Sequence, residues 1–223
     1  TTISLPSSVK YIGKGAFNNC SSLREITIPP FVKKIEEYTF NMCKSLRKII
    51  IPNSLTSIGE SAFNSCFLLE IISIPSSVTS IGRNAFYDCK SLKKINLPSG
   101  LEIIETSLFF NCKMLEEITI PPLITEIGAH SFENCTSLKK IIFQNDQSKS
   151  FTSTFNHLFS KIFPNYSSIK TSAFKKCTSL EQISIPPMFK KINDEAFSEC
   201  ISLSQIDLQF CLLVHQLFIN VLH

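Results

Sequence analysis

Residues 66–89 read CFLLEIISIPSSVTSIGRNAFYDC, and close copies of this unit fill most of the chain. Cysteines mark the copies: six stand 23 residues apart, and two more repeat the interval after one interruption. They are Cys20, Cys43, Cys66, Cys89, Cys112, Cys135, Cys177 and Cys200. A Phe lies three residues before each of them, at Phe17, Phe40, Phe63, Phe86, Phe109, Phe132, Phe174 and Phe197. Self-similarity at a period of about 20–50 residues is typical of a solenoid.

Each unit begins with a strand pattern. In Glu25-Ile26-Thr27-Ile28 polar and apolar residues alternate, which predicts that the two isoleucines point inward and their neighbours point outward. Pro29 ends the strand, because proline has no N–H to continue the ladder. No coil can bury its apolar face alone, so stacked coils should bury it on both neighbours and align their strands in one parallel sheet.

A return segment follows the strand and contains a second inward column of isoleucines, such as Ile35 and Ile58. Glycine follows this column at Gly13, Gly59, Gly82 and Gly128, which suggests a turn that tolerates positive φ. Positive φ is not obligatory there, because Glu36, Glu105, Lys170 and Asn193 occupy the same place in other coils. The short Ala-Phe stretch before each Cys is too brief for a full helix. It predicts a helical or 3₁₀ turn on the outer face.

The cysteine spacing predicts a ladder of reduced thiols. Equivalent positions on neighbouring coils should lie about 4.8 Å apart, so eight of the nine cysteines should form one column of small buried side chains. Disulfides between adjacent rungs are the alternative, because Cα separations of about 4.4–6.8 Å permit them.

Two stretches depart from the repeat. Residues 1–208 are predicted to form the solenoid, with a degenerate coil at about 144–168 in which Phe155 keeps the Phe column and Leu158 takes the Cys place. A functional bulge or hinge is the alternative for this stretch, since irregular insertions often carry binding. Residues 209–223 are predicted to be a C-terminal cap or tail, with membrane association as the alternative.

Composition and motifs exclude several classes of function. Charged residues are 18% of the chain, hydrophobic residues are 43%, and the net charge is +4, with basic residues spread over the repeats. Nucleic acid is therefore not an expected partner, and no segment has the roughly 20 apolar residues that span a bilayer. No Cys-x-x-Cys, His-Glu-x-x-His or Gly-x-Ser-x-Gly motif occurs. We therefore expect no enzyme activity, catalytic residue, metal, cofactor or small-molecule substrate.

The consensus C-x-S-L-x-x-I-x-I-P-x-x-V-x-x-I-G-x-x-A-F-x-x-C resembles the BspA-like leucine-rich repeat family over about residues 1–208. The resemblance implies a right-handed coil stack with a parallel β-sheet on the concave side. Short turns, 3₁₀ or helical segments would lie on the convex side. Family members resemble surface antigens of mucosal bacteria and protozoa, and they are associated with adhesion to host cells and to matrix proteins such as fibronectin and fibrinogen.

The outward strand positions are the candidate partner-binding residues. They are Glu25, Thr27, Lys48, Ile50, Ile71, Ser73, Lys94, Asn96, Glu117, Thr119, Lys140, Ile142, Gln182 and Ser184. One interpretation is a solvated face with weak ion pairs between coils. The other is a patterned docking surface whose charges steer a protein partner. The leading hypothesis is a non-enzymatic adhesion or antigen protein at the cell surface or secreted. The alternative is a cytoplasmic leucine-rich-repeat scaffold or signalling adaptor.

Overall fold

The computed structural model describes residues 2–144 and 167–208. Within these residues, the outward and inward alternation of each repeat forms one short strand per coil. These first strands are β1 (Thr2–Ile3), β2 (Glu25–Thr27), β4 (Lys48–Ile50), β6 (Ile71–Ser73), β8 (Lys94–Asn96), β10 (Glu117–Ile120), β12 (Lys140–Phe143), β14 (Gln182–Ile185) and β16 (Gln205–Leu208). All of their pairings are parallel. The predicted parallel-strand solenoid of stacked coils is confirmed.

The return segment also forms strands, which the sequence analysis missed. They are β3 (Lys34–Ile35), β5 (Ser57–Ile58), β7 (Ser80–Ile81), β9 (Ile103–Ile104), β11 (Glu126–Ile127), β13 (Ser167–Ile169) and β15 (Phe189–Ile192). These return strands pair in parallel in the orders β3-β5-β7 and β9-β11-β13-β15. Each coil that begins with a strand from β2 to β14 therefore contributes two strands. The apolar core lies between the two strand columns and the outer turns.

A column of stacked Phe rings fills the core. Rings of successive coils lie 5.2–5.6 Å apart from Phe17 to Phe197, and their planes are close to parallel. Six of the eight rings are completely buried, namely Phe40, Phe63, Phe86, Phe109, Phe132 and Phe174. Inward strand residues such as Ile26 and Ile72 and the leucines Leu46 and Leu69 are buried around them. The predicted Phe column is confirmed.

The outer segment before each Cys consists of hydrogen-bonded turns. The described residues contain no helix there, so the helical alternative is wrong. Single turns of the 3₁₀ type are present as i→i+3 hydrogen bonds, such as Cys43 to Phe40 at 3.2 Å. The N–H of Phe40 donates to the carbonyl of Ala62 in the next coil at 2.8 Å, and Phe86 donates to Leu108 at 3.0 Å. The outer turns therefore form a third ladder between coils, and because alternate N–H groups point along the stack, no continuous helix forms.

The repeated glycines serve close backbone approach. Gly59, Gly82 and Gly128 do not have positive φ, so the turn does not use the freedom that glycine offers. A Cβ on Gly82 would stand 2.6 Å from the backbone nitrogen of Glu60 in the preceding coil. Positive φ occurs two residues later instead, at Ser61, at Asn84 and at His130.

Gly82→Ala is therefore expected to destabilise the solenoid by about 1–3 kcal/mol, as overpacking against fixed backbone does. Gly100→Ala is the matched control, because its Cβ would meet only the Thr79 methyl group at 3.5 Å and its φ is not positive. Urea denaturation followed by circular dichroism measures both variants. Equal stability of the two variants would contradict the close approach at Gly82.

All eight cysteines of the ladder are unpaired, and seven of them are buried. Each thiol from Cys43 to Cys200 donates to the carbonyl of the Phe in the preceding coil; Cys89, for example, donates to Phe63 at 3.1 Å. Burial raises the pKa of the Cys43 and Cys135 thiols to about 12. These thiols are therefore protonated structural groups at neutral pH.

The interruption lies within one coil. Phe132 and Phe174 stack directly at 5.2 Å, and the Cys177 thiol donates to the Phe132 carbonyl at 3.2 Å. The two coils are immediate neighbours, so the stack has no layer between them for the coil expected at about 144–168. The interval from Cys135 to Cys177 is 42 residues, which is one 23-residue period plus 19. The extra residues fall between β12 and β13, and Phe155 and Leu158 lie outside the described residues.

Candidate protein-binding face

The candidate residues lie together on the outer side of the first strands, which we call the strand face. Glu25, Lys48 and Lys94 begin the first strands β2, β4 and β8 and are exposed, while the residue after each of them is buried in the core. Of the fourteen candidates, twelve are exposed, and Thr119 and Ile142 are half-buried. Their shared position follows from the strand period of two, which sends alternate side chains to the same side.

Charges of opposite sign face each other across neighbouring strands. Glu25 is the register partner of Lys48, and Glu117 is the register partner of Lys140. Within the described residues, none of these four side chains, nor Lys94, has an ion-pair partner within 4.0 Å. A purely solvated face would favour ion pairs between coils. These five charged residues, which begin the first strands, do not form them with any described residue.

The residues directly before the first strands form a neighbouring row, and one ion pair lies in this row. Lys93 donates to Glu70 at 2.9 Å, one coil away. This hydrogen bond lowers the pKa of the Glu70 carboxyl and raises the pKa of the Lys93 ammonium group. Both side chains are nearly half exposed, so the pair contributes little to stability. Its main effect is to hold the Lys93 charge beside Glu70, away from the row that contains Lys94.

A groove of about 330 Å³ opens at one end of the strand face, where β12 and β14 lie side by side without strand pairing. Four sequence-predicted residues line it, namely Lys140, Ile142, Gln182 and Ser184. Phe143, Pro186, Gln205 and Asp207 also line it and were not among the candidates. Gln205 and Asp207 occupy the same outward positions of the last strand. The alternation of β16 was therefore a sufficient signal for including them.

Ion pairs concentrate on the outer turns instead. His130 lies 2.6 Å from Glu133, and Lys175 pairs with Glu195 at 2.6 Å. The hydrogen bond from Lys175 lowers the pKa of Glu195. Among the residues described, no group of three or more His, Cys, Asp or Glu side chains is placed to hold a metal ion. No helix within residues 2–144 and 167–208 is long and apolar enough to cross a membrane.

Parallel strands repeating every 23 residues around a shared Phe and Leu core define the chain as a leucine-rich-repeat solenoid. It belongs to the family of the BspA type leucine rich repeat region. That family model matches six copies, over residues 1–114, 56–163 and 147–215.

Two solved structures with TM-scores of 0.50 or more show the same architecture. A leucine-rich repeat protein from Bacteroides ovatus is 28% identical with a TM-score of 0.62, and the match covers 94% of this chain and 67% of that one. The leucine-rich repeat protein of T. pallidum is 25% identical with a TM-score of 0.50, covering 72% of this chain and 82% of the other. A leucine rich cell surface protein from Faecalibacterium prausnitzii is 29% identical with a TM-score of 0.44, covering 88% and 62%. No curated protein matches the chain.

Proposed function

We propose that this protein is a non-enzymatic binding solenoid that captures a protein ligand through its strand face. The observation that carries the proposal is the row containing Lys48, Lys94 and Lys140, whose charges are exposed and form no ion pair with any described residue. Ile50 and Ile71 are 49% and 62% exposed beside these charges and supply apolar contact. Mixed apolar and charged surface of this kind suits a protein interface, where charge complementarity provides specificity and a fast association rate.

The proposed location is the cell surface or the secreted fraction. Membership of the BspA type family supports it, because the resemblance to that family implies a surface antigen associated with adhesion. The alternative is a cytoplasmic scaffold or signalling adaptor. The eight unpaired cysteines favour that alternative, because reduced thiols persist most readily in the cytosol.

Protease shaving of intact source cells separates the two locations. Loss of the chain from intact cells, without release of a cytosolic marker, would support the surface location. Full protection of the chain until lysis would favour the cytoplasmic scaffold, with partners inside the cell. Detection in the cleared culture medium, at a level above the cytosolic marker, would support secretion.

Charge reversal tests the strand face itself. Lys94→Glu combined with Lys140→Glu is expected to weaken binding to immobilised fibronectin, fibrinogen or host cells by about tenfold or more, because like charges then oppose the ligand. Surface plasmon resonance at two salt concentrations measures the effect, which should fall as salt increases.

The matched control is Lys34→Glu with Lys191→Glu. These two exposed lysines lie on return strands β3 and β15, so the change in net charge is the same on a different side of the coil. Binding should remain close to that of the unmodified protein. Equal loss of binding in both double variants would show a general charge effect. Unchanged binding in the strand-face variant, with an intact circular dichroism spectrum, would remove this face from consideration.

A further inference from the structure

The strand face repeats along the stack at an interval close to that of the turns of an α-helix. Its parallel strands lie about 4.8 Å apart from coil to coil, so two coils span about 9.6 Å. An α-helix advances about 5.4 Å per turn. A helix lying along the stack would therefore present one side chain to each coil, at positions i, i+4, i+7, i+11 and i+14.

One row of the strand face has an order of charged and apolar residues that the side chains of such a helix can complement. This charged row contains one residue from each of six successive coils, in the order Glu25, Lys48, Ile71, Lys94, Glu117 and Lys140. Its three lysines stand on alternate coils, with an isoleucine between the first two and a glutamate between the last two. All six side chains are exposed, and the five charged ones have no ion pair with any described residue.

The row beside it is neutral. It consists of Thr27, Ile50, Ser73, Asn96, Thr119 and Ile142, one residue on each of the same coils. A partner that approaches the charged row from this side therefore meets hydroxyl, amide and aliphatic groups and no competing charge. The charged row thus sets the register of the partner, and the neutral row supplies contact area.

Resting on the proposed function, we propose that the partner of the strand face is an amphipathic α-helix that lies along the stack. It carries acidic residues at i, i+7 and i+14, facing Lys48, Lys94 and Lys140. Seven residues of helix span about 10.5 Å, which is within about 1 Å of two coils. An apolar residue faces Ile71, and a basic residue faces Glu117.

An extended segment fits this row less well. Side chains on one face of a β-strand recur every two residues, or about 6.7 Å. That repeat matches neither one coil nor the two-coil interval between lysines. Its acidic side chains would therefore fall between the lysines. A helix centred on Lys94 stays within about 1 Å of Lys48 and Lys140, because seven helical residues span about 10.5 Å and two coils about 9.6 Å. The long lysine and glutamate side chains absorb that offset.

A fluorescein-labelled peptide tests the inference directly on the full chain. In a 21-residue alanine-rich helix, Glu occupies positions 1, 8 and 15, Leu occupies position 5 and Lys occupies position 12. The first control has the same composition with its acidic residues one turn apart, at positions 1, 4 and 8. The second control keeps the original order but contains two central prolines that prevent a helix. Fluorescence anisotropy at low salt should show binding of the matched peptide at least about tenfold tighter than of either control.

A charge swap then fixes the register. Lys94→Glu should weaken the matched peptide about tenfold, and a peptide with Lys in place of Glu at position 8 should recover that loss. The recovery should be specific, because the same modified peptide should bind the unmodified protein poorly. Equal binding of the matched and one-turn peptides, or of the matched and proline peptides, would overturn the helical register. Failure of the charge swap to restore binding would overturn it as well.

Failure of this inference is distinguishable from failure of the proposed function. If no helical peptide binds, but the Lys94→Glu and Lys140→Glu double variant still loses binding to cells or matrix proteins, the strand face is functional and the helical partner is wrong. If a sulfated polysaccharide displaces those ligands from the charged row and the peptides do not bind, the partner inferred here is also wrong. If the double variant keeps all binding, both proposals fail.

Discussion

Phe86→Ala is expected to lower the free energy of unfolding by about 3–5 kcal/mol, which is the usual cost of removing a buried aromatic ring. The Phe86 ring is completely buried. It stacks on Phe63 at 5.4 Å and on Phe109 at 5.6 Å, so its loss leaves a cavity between two coils. Each coil contacts only its neighbours, so the loss weakens the interfaces that couple the two halves of the stack.

Tyr87→Ala is the matched control for this substitution, because it removes the adjacent aromatic ring. Tyr87 stacks on Phe110 at 4.7 Å, but it is only half-buried on the outer turns. Its loss should cost about 1 kcal/mol, as expected for one aromatic pair without a cavity. Urea denaturation followed by circular dichroism measures both variants. A loss below about 1 kcal/mol for Phe86→Ala would show that the Phe column does not support the core.

The strand face illustrates what a repeat sequence can predict. The alternation around Ile26 and Ile49 assigned the first strands, and the same alternation assigned all fourteen candidate residues to one side. This succeeds because the strand period of two fixes side-chain direction without reference to tertiary contacts. The return strands, by contrast, have only two residues in most coils. Two residues are too few to show an alternation, so the return strands are evident only from their pairing between coils.

The interruption shows where counting residues fails. An interval of 42 residues is compatible with two shortened coils or with one coil that contains 19 additional residues. Sequence spacing cannot separate these cases, because both keep Phe and Cys in their columns afterwards. The direct stack of Phe132 on Phe174 decides between them. The groove beside Lys140 and the missing ion pairs of the charged row likewise depend on distances between coils, which no single repeat encodes.

The glycine column shows a different kind of error. Gly82 suggested a turn that tolerates positive φ, because glycine often serves that need. The need at this position is space, since the preceding coil's backbone would lie 2.6 Å from a Cβ. Asn84 takes the positive φ instead, and asparagine tolerates it better than most residues do. Glycine can provide either positive φ or space for a close backbone. Its position in a repeat does not show which of the two roles it has.

Alkaline unfolding is the other large effect that we expect, because the cysteine ladder couples stability to pH. Burial raises the pKa of the thiols of Cys66, Cys89, Cys112 and Cys135 above the ordinary value of 9.0. A raised folded-state pKa means that the folded chain keeps these protons while the unfolded chain releases them. The stabilisation is therefore complete below pH 9, and it is lost progressively as the pH rises from 9 toward the folded-state pKa.

The size of the stability loss follows from the difference of one pH unit between pH 10 and the ordinary thiol pKa of 9.0. At pH 10 each unfolded thiol contributes about 1.4 kcal/mol, so these four together should remove about 5–6 kcal/mol. That loss is comparable to the whole stability of many domains. Urea denaturation between pH 8 and pH 10.5, with a reducing agent present, should show a steep fall in stability. Lysines and tyrosines also titrate near the upper end of this range, so the slope of the unmodified protein alone does not isolate the thiols.

Comparison of two variants isolates the thiols. Cys89→Ala with Cys112→Ala should lose stability at neutral pH, but its further loss between pH 8 and pH 10 should be smaller than that of the unmodified protein by about 3 kcal/mol. Leu92→Ala is the control, because it empties an equally buried position and removes no thiol. Its stability should fall with pH as steeply as that of the unmodified protein. If the cysteine variant kept the full slope, the ladder thiols would ionise equally in both states, and their burial would not contribute to the pH dependence. A smaller slope would show that ionisation of the ladder cysteines limits the stability of the fold at alkaline pH.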